Sequence, residues 1–213
     1  MARGQPRLKA STELLVEFLD VAIQVILYER GIYPESIFSS QRAFGVPVKM
    51  SRHPEVNDYI RSCLRDATPL IDAGAVENIV VVIIDGYMRV AERFVFGVSR
   101  RGRDETPDPE AVEATEYAMR ALLTKLALSS TSLPPVCEDA TFRLLIETRA
   151  DADGTAATLI ETAASDPSSG YVRADQEVCA SPVEDATVVP VRKVATPLVD
   201  FSLNVECAPR PDD

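Results

Sequence analysis

The sequence has no tryptophan and a single histidine, His53, in 213 residues. Any Ser-His-Asp or Cys-His nucleophile site would have to be built around that one imidazole, and no Gly-x-Ser-x-Gly elbow accompanies it. His53 stands immediately before Pro54 at an expected helix start, which suits a capping or surface role. Cysteine is sparse too. Cys63, Cys137, Cys179 and Cys207 include no Cys-x-x-Cys pair, which excludes a thioredoxin-like motif and the common zinc spacings. They read as reduced structural thiols. Neither Gly-x-Gly-x-x-Gly nor Gly-x-x-x-x-Gly-Lys-Ser/Thr occurs, so a phosphate cradle is unsupported. No apolar run reaches the ~18 residues of a membrane span. The opening "MARGQPRLKAST" is basic without an apolar stretch, so it does not read as a secretory leader. A compartment in the nucleus or the cytoplasm is the expectation. No cofactor is expected.

Positive charge is in short supply, and unevenly so. The chain carries 22 Lys/Arg against 33 Asp/Glu, a net charge of −11. Residues 1–103 hold 14 against 12, whereas residues 104–213 hold 8 against 21. An acidic second half repels phosphate, which argues against direct nucleic-acid binding and for a protein partner with a basic segment. The acidic clusters "DETPDPE" and "DADG" lack the twelve-residue calcium-loop pattern and read as solvated surface.

Apolar pattern, by contrast, is plentiful. In "TELLVEFLDVAIQVILYE" (12–29) the polar residues Glu13, Glu17, Asp20 and Gln24 make one thin stripe, and nearly everything else is apolar. This predicts a helix buried on most sides. Ser11 or Thr12 caps its start, Gly31 takes the left-handed position that ends it, and Tyr33-Pro34 forces an extended exit. Residues 53–73 put Val56, Ile60, Cys63, Leu64 and Ala67 on one helical face. Pro54 lies in the first turn, a break or kink is expected near Thr68 before Pro69, and Gly74 ends the segment. "NIVVVIID" (78–85) and "RVAERFVFGV" (89–98), joined by Asp85-Gly86, predict a hairpin. After a polar loop, Asp108 and Pro109 open a third helix with an apolar face of Val112, Met119, Leu122, Leu123 and Leu126. "TFRLLIETR" (141–149) is a further strand. Residues 150–170 predict a long mobile loop, with at most a short strand at "TLIET". "YVRADQE", "ATVVPVRKV" and "VDFSLNVEC" read as short strands. The fold class is α+β, with three main helices packed on a mainly antiparallel sheet.

Three stretches, "LLVEFLDVAIQVILYERGIYPESIF", "VPVKMSRHPEVNDYI" and "VENIVVVIIDGYMRVAERFVF", together resemble the HORMA-domain family. Within it they are most similar to accessory subunits of translesion DNA polymerase zeta. "MRALLTKLAL" and "TFRLLIETR" continue the resemblance in order, as do "ADQE", "VVPV" and "LNVE" after a weaker stretch at 150–170.

The resemblance implies a flexible N-terminus (1–10) and one HORMA domain (11–206). That domain divides into a core (11–149) and a mobile C-terminal safety belt (150–206), followed by a disordered tail (207–213). It implies a non-catalytic adaptor that captures a partner peptide under the belt. The expected partners are the catalytic subunit of polymerase zeta and the C-terminal domain of the Rev-one scaffold polymerase. The alternative is a cell-cycle checkpoint or double-strand-break-repair adaptor. Peptide contact falls on Tyr59 and on Tyr171, which stands where the belt usually has tryptophan. Scaffold contact falls on Val188, Ser202 and Asn204, where leucine, glutamine and tyrosine are usual. Self-association, as homodimer or HORMA heterodimer, falls on Arg120, placed opposite Met119 and Leu123 and so expected to be exposed and free.

Overall fold

A computed structural model describes residues 11–100, 108–130, 132–150, 154–165, 183 and 185–209. The first helix, α1 (Ser11–Glu29), is sheathed on most sides, with Leu14, Leu15, Phe18, Leu19, Ile23, Ile26 and Leu27 buried. Its polar stripe is put to use: Gln24 is buried, accepting the Ser51 N–H and donating to Asn57. Thr12 does not serve as a local cap; its hydroxyl donates 2.5 Å to Asp72 at the far end of the second helix.

The helix ends where Gly31 reaches φ +64°. Ile32 N–H bonds to Leu27 C=O and Gly31 N–H to Tyr28 C=O, a Schellman closure that only a residue tolerant of positive φ allows cheaply. Arg30 turns inward at this point. Its guanidinium grips the carboxylate of Glu92 and also reaches the Pro134 carbonyl, so the helix stop is welded to a strand and to a distant loop.

The exit is more ordered than an extended passage. Glu35–Ile37 is a 3-10 turn, and β1 (Phe38–Ala43) pairs with β2 (Val46–Ser51) as a separate two-stranded hairpin. Its turn is Phe44-Gly45, at φ 48° and 76°. Gly45 announces such a turn; Phe44 does not, which is why the sequence pattern passes over it.

The second helix, α2 (Pro54–Asp72), continues past Pro69, so it does not break near Thr68. Pro69 lies in the last turn, so it deletes a single intrahelical bond, and the next two residues, Leu70 and Ile71, are buried in the core. Gly74, at φ +70°, then closes the helix as Gly31 closes α1.

β3 (Val76–Ile84) and β4 (Val90–Arg100) form the predicted hairpin, α3 (Pro109–Ser130) starts just after Asp108, and β5 (Thr141–Thr148) pairs with β3. The expected loop at 150–170 is corrected in part: Gly154–Ser165 is a helix, α4. Its alanines favour that state, Leu159 and Ile160 pack on the core, and the threonines that suggested a strand bond back to carbonyls four residues earlier. β6 (Thr187–Ala195) and β7 (Val199–Cys207) complete the sheet in the order β5-β3-β4-β7-β6, every pair antiparallel. Cys207, assigned by the sequence reading to a disordered tail, is buried opposite Glu92. The helices cover one face of the sheet. The other face carries a small apolar cluster around Val80, Val82 and Ile84.

Candidate functional site

A five-stranded open sheet has two edges, and they differ in chemistry. The β6 edge contains Pro190, which lacks a donor, a register shift between Pro190 and Arg192, and the exposed Arg192 and Lys193. These features discourage a further strand. The β5 edge, "TFRLLIET", has no proline and no bulge in its register from Asn78 to Ile84. Among the described residues, no strand pairs with its outer side.

One outward group on β5 is occupied by a side chain. The Leu144 N–H donates to the Tyr59 hydroxyl at 3.3 Å, so it points away from β3. Because backbone groups alternate along an antiparallel strand, Phe142 and Ile146 direct their N–H and C=O groups to the same open side. Tyr59 is thus brought from α2 to the edge itself. Its ring meets Phe142 edge-on at 5.6 Å, and Tyr33 meets the same ring at 6.2 Å. Tyr33, which follows the helix stop, therefore helps to wall the start of the open strand. Burial pushes the Tyr59 phenol above its ordinary range, and the same effect raises Cys63 beside it, so both stay protonated at neutral pH. A protonated phenol can accept from Leu144 and still donate elsewhere.

The three residues expected to contact the scaffold lie on the β6–β7 hairpin and meet on one face. β7 alternates strictly: Phe201, Leu203 and Val205 are buried, while Ser202 and Asn204 lie on the opposite side. Val188 is paired with Glu206, and Pro190 with Asn204, so Val188, Ser202 and Asn204 share the outer face. Val188 is 56% exposed. Gly97 makes room for Ser202: a Cβ there would sit 2.6 Å from the Ser202 hydroxyl.

Arg120 is exposed, while Met119 and Leu123 beside it on α3 are buried, so it stands at the margin of the helix's apolar face. It is not free, however. Its Nε donates 2.7 Å to the Phe44 carbonyl, clamping α3 to the β1–β2 turn. The expectation of an unengaged guanidinium is corrected; the turn's positive-φ geometry presents that carbonyl to it. An apolar groove of about 550 Å³ lies beside the clamp, between Val25 and Tyr28 of α1, Pro47 and Val48 of β2, and Leu123 and Leu128 of α3. Tyr171 lies outside the described residues.

His53 sits at the start of α2 without a side-chain capping bond. Among the described residues no three His, Cys, Asp or Glu side chains are grouped to hold a metal, and Cys63, Cys137 and Cys207 are unpaired thiols. Sequence reasoning missed the open-side role of Leu144. It also missed Arg93, buried on β4 between two carboxylates, because neither a strand leucine nor a strand arginine carries a local signature.

The HORMA-domain family model matches residues 11–177 of this chain. The chain belongs to the HORMA-domain family. Among similar proteins, the zebrafish (Danio rerio) "Mitotic spindle assembly checkpoint protein MAD2B" is 32% identical over 197 residues, covering 91% of this HORMA chain and 89% of the relative. The Arabidopsis thaliana "DNA polymerase zeta processivity subunit" is 35% identical over 122 residues, covering 57% and 56%. The fold is shared with a chain in the structure of a mitotic checkpoint complex, with a TM-score of 0.76 at 24% identity, covering 94% of this chain and 100% of the other. It is also shared with C. elegans HTP-2 bound to a HIM-3 closure motif, with a TM-score of 0.68 at 14% identity, covering 92% and 90%. In this HORMA domain the strands β6 and β7 lie beyond the matched residues and still belong to the same sheet.

Proposed function

We propose that this HORMA domain is a non-catalytic adaptor that takes an extended partner peptide as an additional strand along β5, beneath a belt formed by the chain after residue 150. The observation that carries this reading is the open β5 edge, where the Tyr59 hydroxyl stands in for a backbone acceptor at Leu144. Strand addition supplies affinity through main-chain hydrogen bonds and specificity through side-chain pockets. Here the side chains clustered at the edge are aromatic, Tyr33, Tyr59 and Phe142, with Tyr171 assigned to the belt side.

The client we assign is a peptide of the polymerase zeta catalytic subunit, in keeping with the family resemblance and with the similarity to a relative named as a zeta processivity subunit. The outer face at Val188, Ser202 and Asn204 is assigned to the C-terminal domain of the Rev-one scaffold. Its residues are smaller and more polar than the family's usual set. The α3 surface at Arg120 is assigned to a second HORMA domain, and the setting to DNA damage tolerance in the nucleus. A second reading, a spindle-checkpoint adaptor, draws on the zebrafish relative's name.

The test is titration of the labelled protein with peptides tiled across the zeta catalytic subunit. One peptide should bind and protect the Leu144 and Ile146 amides from exchange. Binding that leaves β5 amides unprotected overturns strand addition; the absence of any binding peptide among the tiles overturns the assigned client.

A further inference from the structure

The face of the sheet turned away from the helices holds an ionic arrangement that crosses it almost from side to side. Arg93 is on β4 and is 2% exposed. One of its terminal nitrogens, Nη1, donates 2.9 Å to Glu206 of β7; the other, Nη2, contacts Glu147 of β5. β7 is the immediate neighbour of β4, but β5 is not: β3 lies between them. The Arg93 side chain therefore crosses β3 to reach Glu147. Asn78, the β3 residue paired with Glu147, donates 2.8 Å to the other oxygen of that carboxylate and fixes its direction. Beneath this bridge lie Val80 and Val82, both fully buried. The two carboxylates are more accessible than the arginine, at 34% and 21% for their side chains.

The two strands so joined have different roles under the reading above. β5 is the edge offered to the peptide, and β7 is the belt strand laid against β4. We propose that Arg93 is a positioning residue, a clasp that couples docking of the belt strand β7 to the geometry of the receptive edge β5. A buried guanidinium needs both acceptors, because removing one leaves a desolvated charge poorly matched. When β7 lies on β4, Arg93 is held between Glu206 and Glu147, and the Glu147 side of β5 is drawn toward the sheet. If β7 leaves, Arg93 loses one partner, and its hold on β5 changes with it. Coupling of this kind is reciprocal: loosening β5 at Glu147 must loosen β7 by the same free energy. Lysine replaces the arginine only in part, since its compact ammonium keeps the charge but lacks the planar fork that meets both carboxylates at once.

The test is amide hydrogen exchange on the whole chain without peptide, so that its outcome is separate from that of the capture reading on which the clasp's role rests. Glu206→Gln, a partly exposed position, should accelerate exchange in 199–207 and also in 141–148, by roughly tenfold, comparable to losing one charge-assisted hydrogen bond. Glu147→Gln should do the same in reverse, accelerating 199–207 across the two intervening strands. Residues 14–27 of α1 should be unchanged in both variants. Arg93→Lys, which keeps the charge, should fall between wild type and the glutamine variants. Acceleration confined to the strand that carries the substitution overturns the clasp, and so does uniform acceleration across α1 and the sheet. In the peptide titration above, the same glutamine variants should dissociate faster with little change in association rate; equal dissociation rates would overturn the coupling to capture while leaving capture itself standing.

Discussion

The Arg30 guanidinium forks onto the Glu92 carboxylate, Nε to Oε2 at 2.8 Å and Nη2 to Oε1 at 2.5 Å, with both side chains 5% exposed. The pair ties the end of α1 to β4, and Cys207, the last residue of β7, is packed opposite Glu92. Burial pushes the Glu92 carboxyl upward, while the Arg30 hydrogen bonds and charge pull it back. Breaking one side of such a pair strands the other charge. Glu92→Ala should therefore cost about 3–5 kcal/mol, because Arg30 is left buried and unmatched. Urea unfolding of wild type and variant measures it; a loss under ~1 kcal/mol, the range of an exposed pair, would show that the fork contributes little.

Asp20 lies on the α1 stripe facing Arg61 of α2 at 3.6 Å, and its Oδ1 is buried without a hydrogen-bond partner. Burial raises its carboxyl above the ordinary 3.8, against the opposing pull of Arg61 and Gln24. The native state then holds this proton more tightly than the unfolded chain does. The stabilisation from this group is full below pH 3.8 and is lost as pH rises through the folded value. Asp20→Asn removes that dependence. The stability gap between the asparagine variant and wild type should widen in the variant's favour from pH 4 to pH 7, as read by chemical denaturation at each pH. A gap that stays constant with pH would contradict the shift.

Tyr59→Phe removes the hydroxyl and keeps the ring against Phe142. The Leu144 amide should lose protection in the peptide-free protein, while global stability falls by about 1 kcal/mol or less, the usual net worth of one hydrogen bond. Single-residue hydrogen exchange by NMR decides it: unchanged protection at Leu144 would mean that the amide is shielded by something other than Tyr59.

Arg120→Ala cuts the bond to the Phe44 carbonyl and removes the charge from the surface we assign to self-association. Sedimentation velocity of peptide-bound protein should show the wild-type dimer shifting toward monomer. The melting temperature should drop slightly, since the freed carbonyl is exposed and the lost bond is worth about 1 kcal/mol. A mutant that dimerises as wild type does would confine Arg120 to its clamp on the turn.

Val188→Asp probes the outer face of the β6–β7 hairpin. An aspartate beside Glu206 adds like charge on an exposed strand, so the fold should lose ~0.5 kcal/mol or less, while binding to the Rev-one C-terminal domain should weaken several-fold. Isothermal titration calorimetry with that domain provides the check, and unchanged affinity would remove Val188 from the assigned surface.

The sequence by itself determined the elements whose causes are local. The apolar sheath of α1, the glycines at 31 and 74 that close two helices, the β-branched hairpin at β3–β4 and the strict alternation of β7 all follow from spacing and residue type. That alternation already placed Ser202 and Asn204 on one side. Where a local rule met a tertiary demand, the tertiary demand won. Pro69 remained in α2 because buried Leu70 and Ile71 outweigh one missing hydrogen bond, and 154–165 became a helix because Leu159 and Ile160 have a core to pack on. The candidate site belongs almost wholly to this second kind. Nothing in "TFRLLIET" says that its strand is an edge, nor that Tyr59, 85 residues before Leu144, supplies the acceptor for its outward amide. Nothing near Arg93 says that its carboxylates come from strands 54 and 113 residues away. Strand order and ion-pair partners depend on which distant segments are brought together, and a linear pattern encodes spacing along the chain, not adjacency across it.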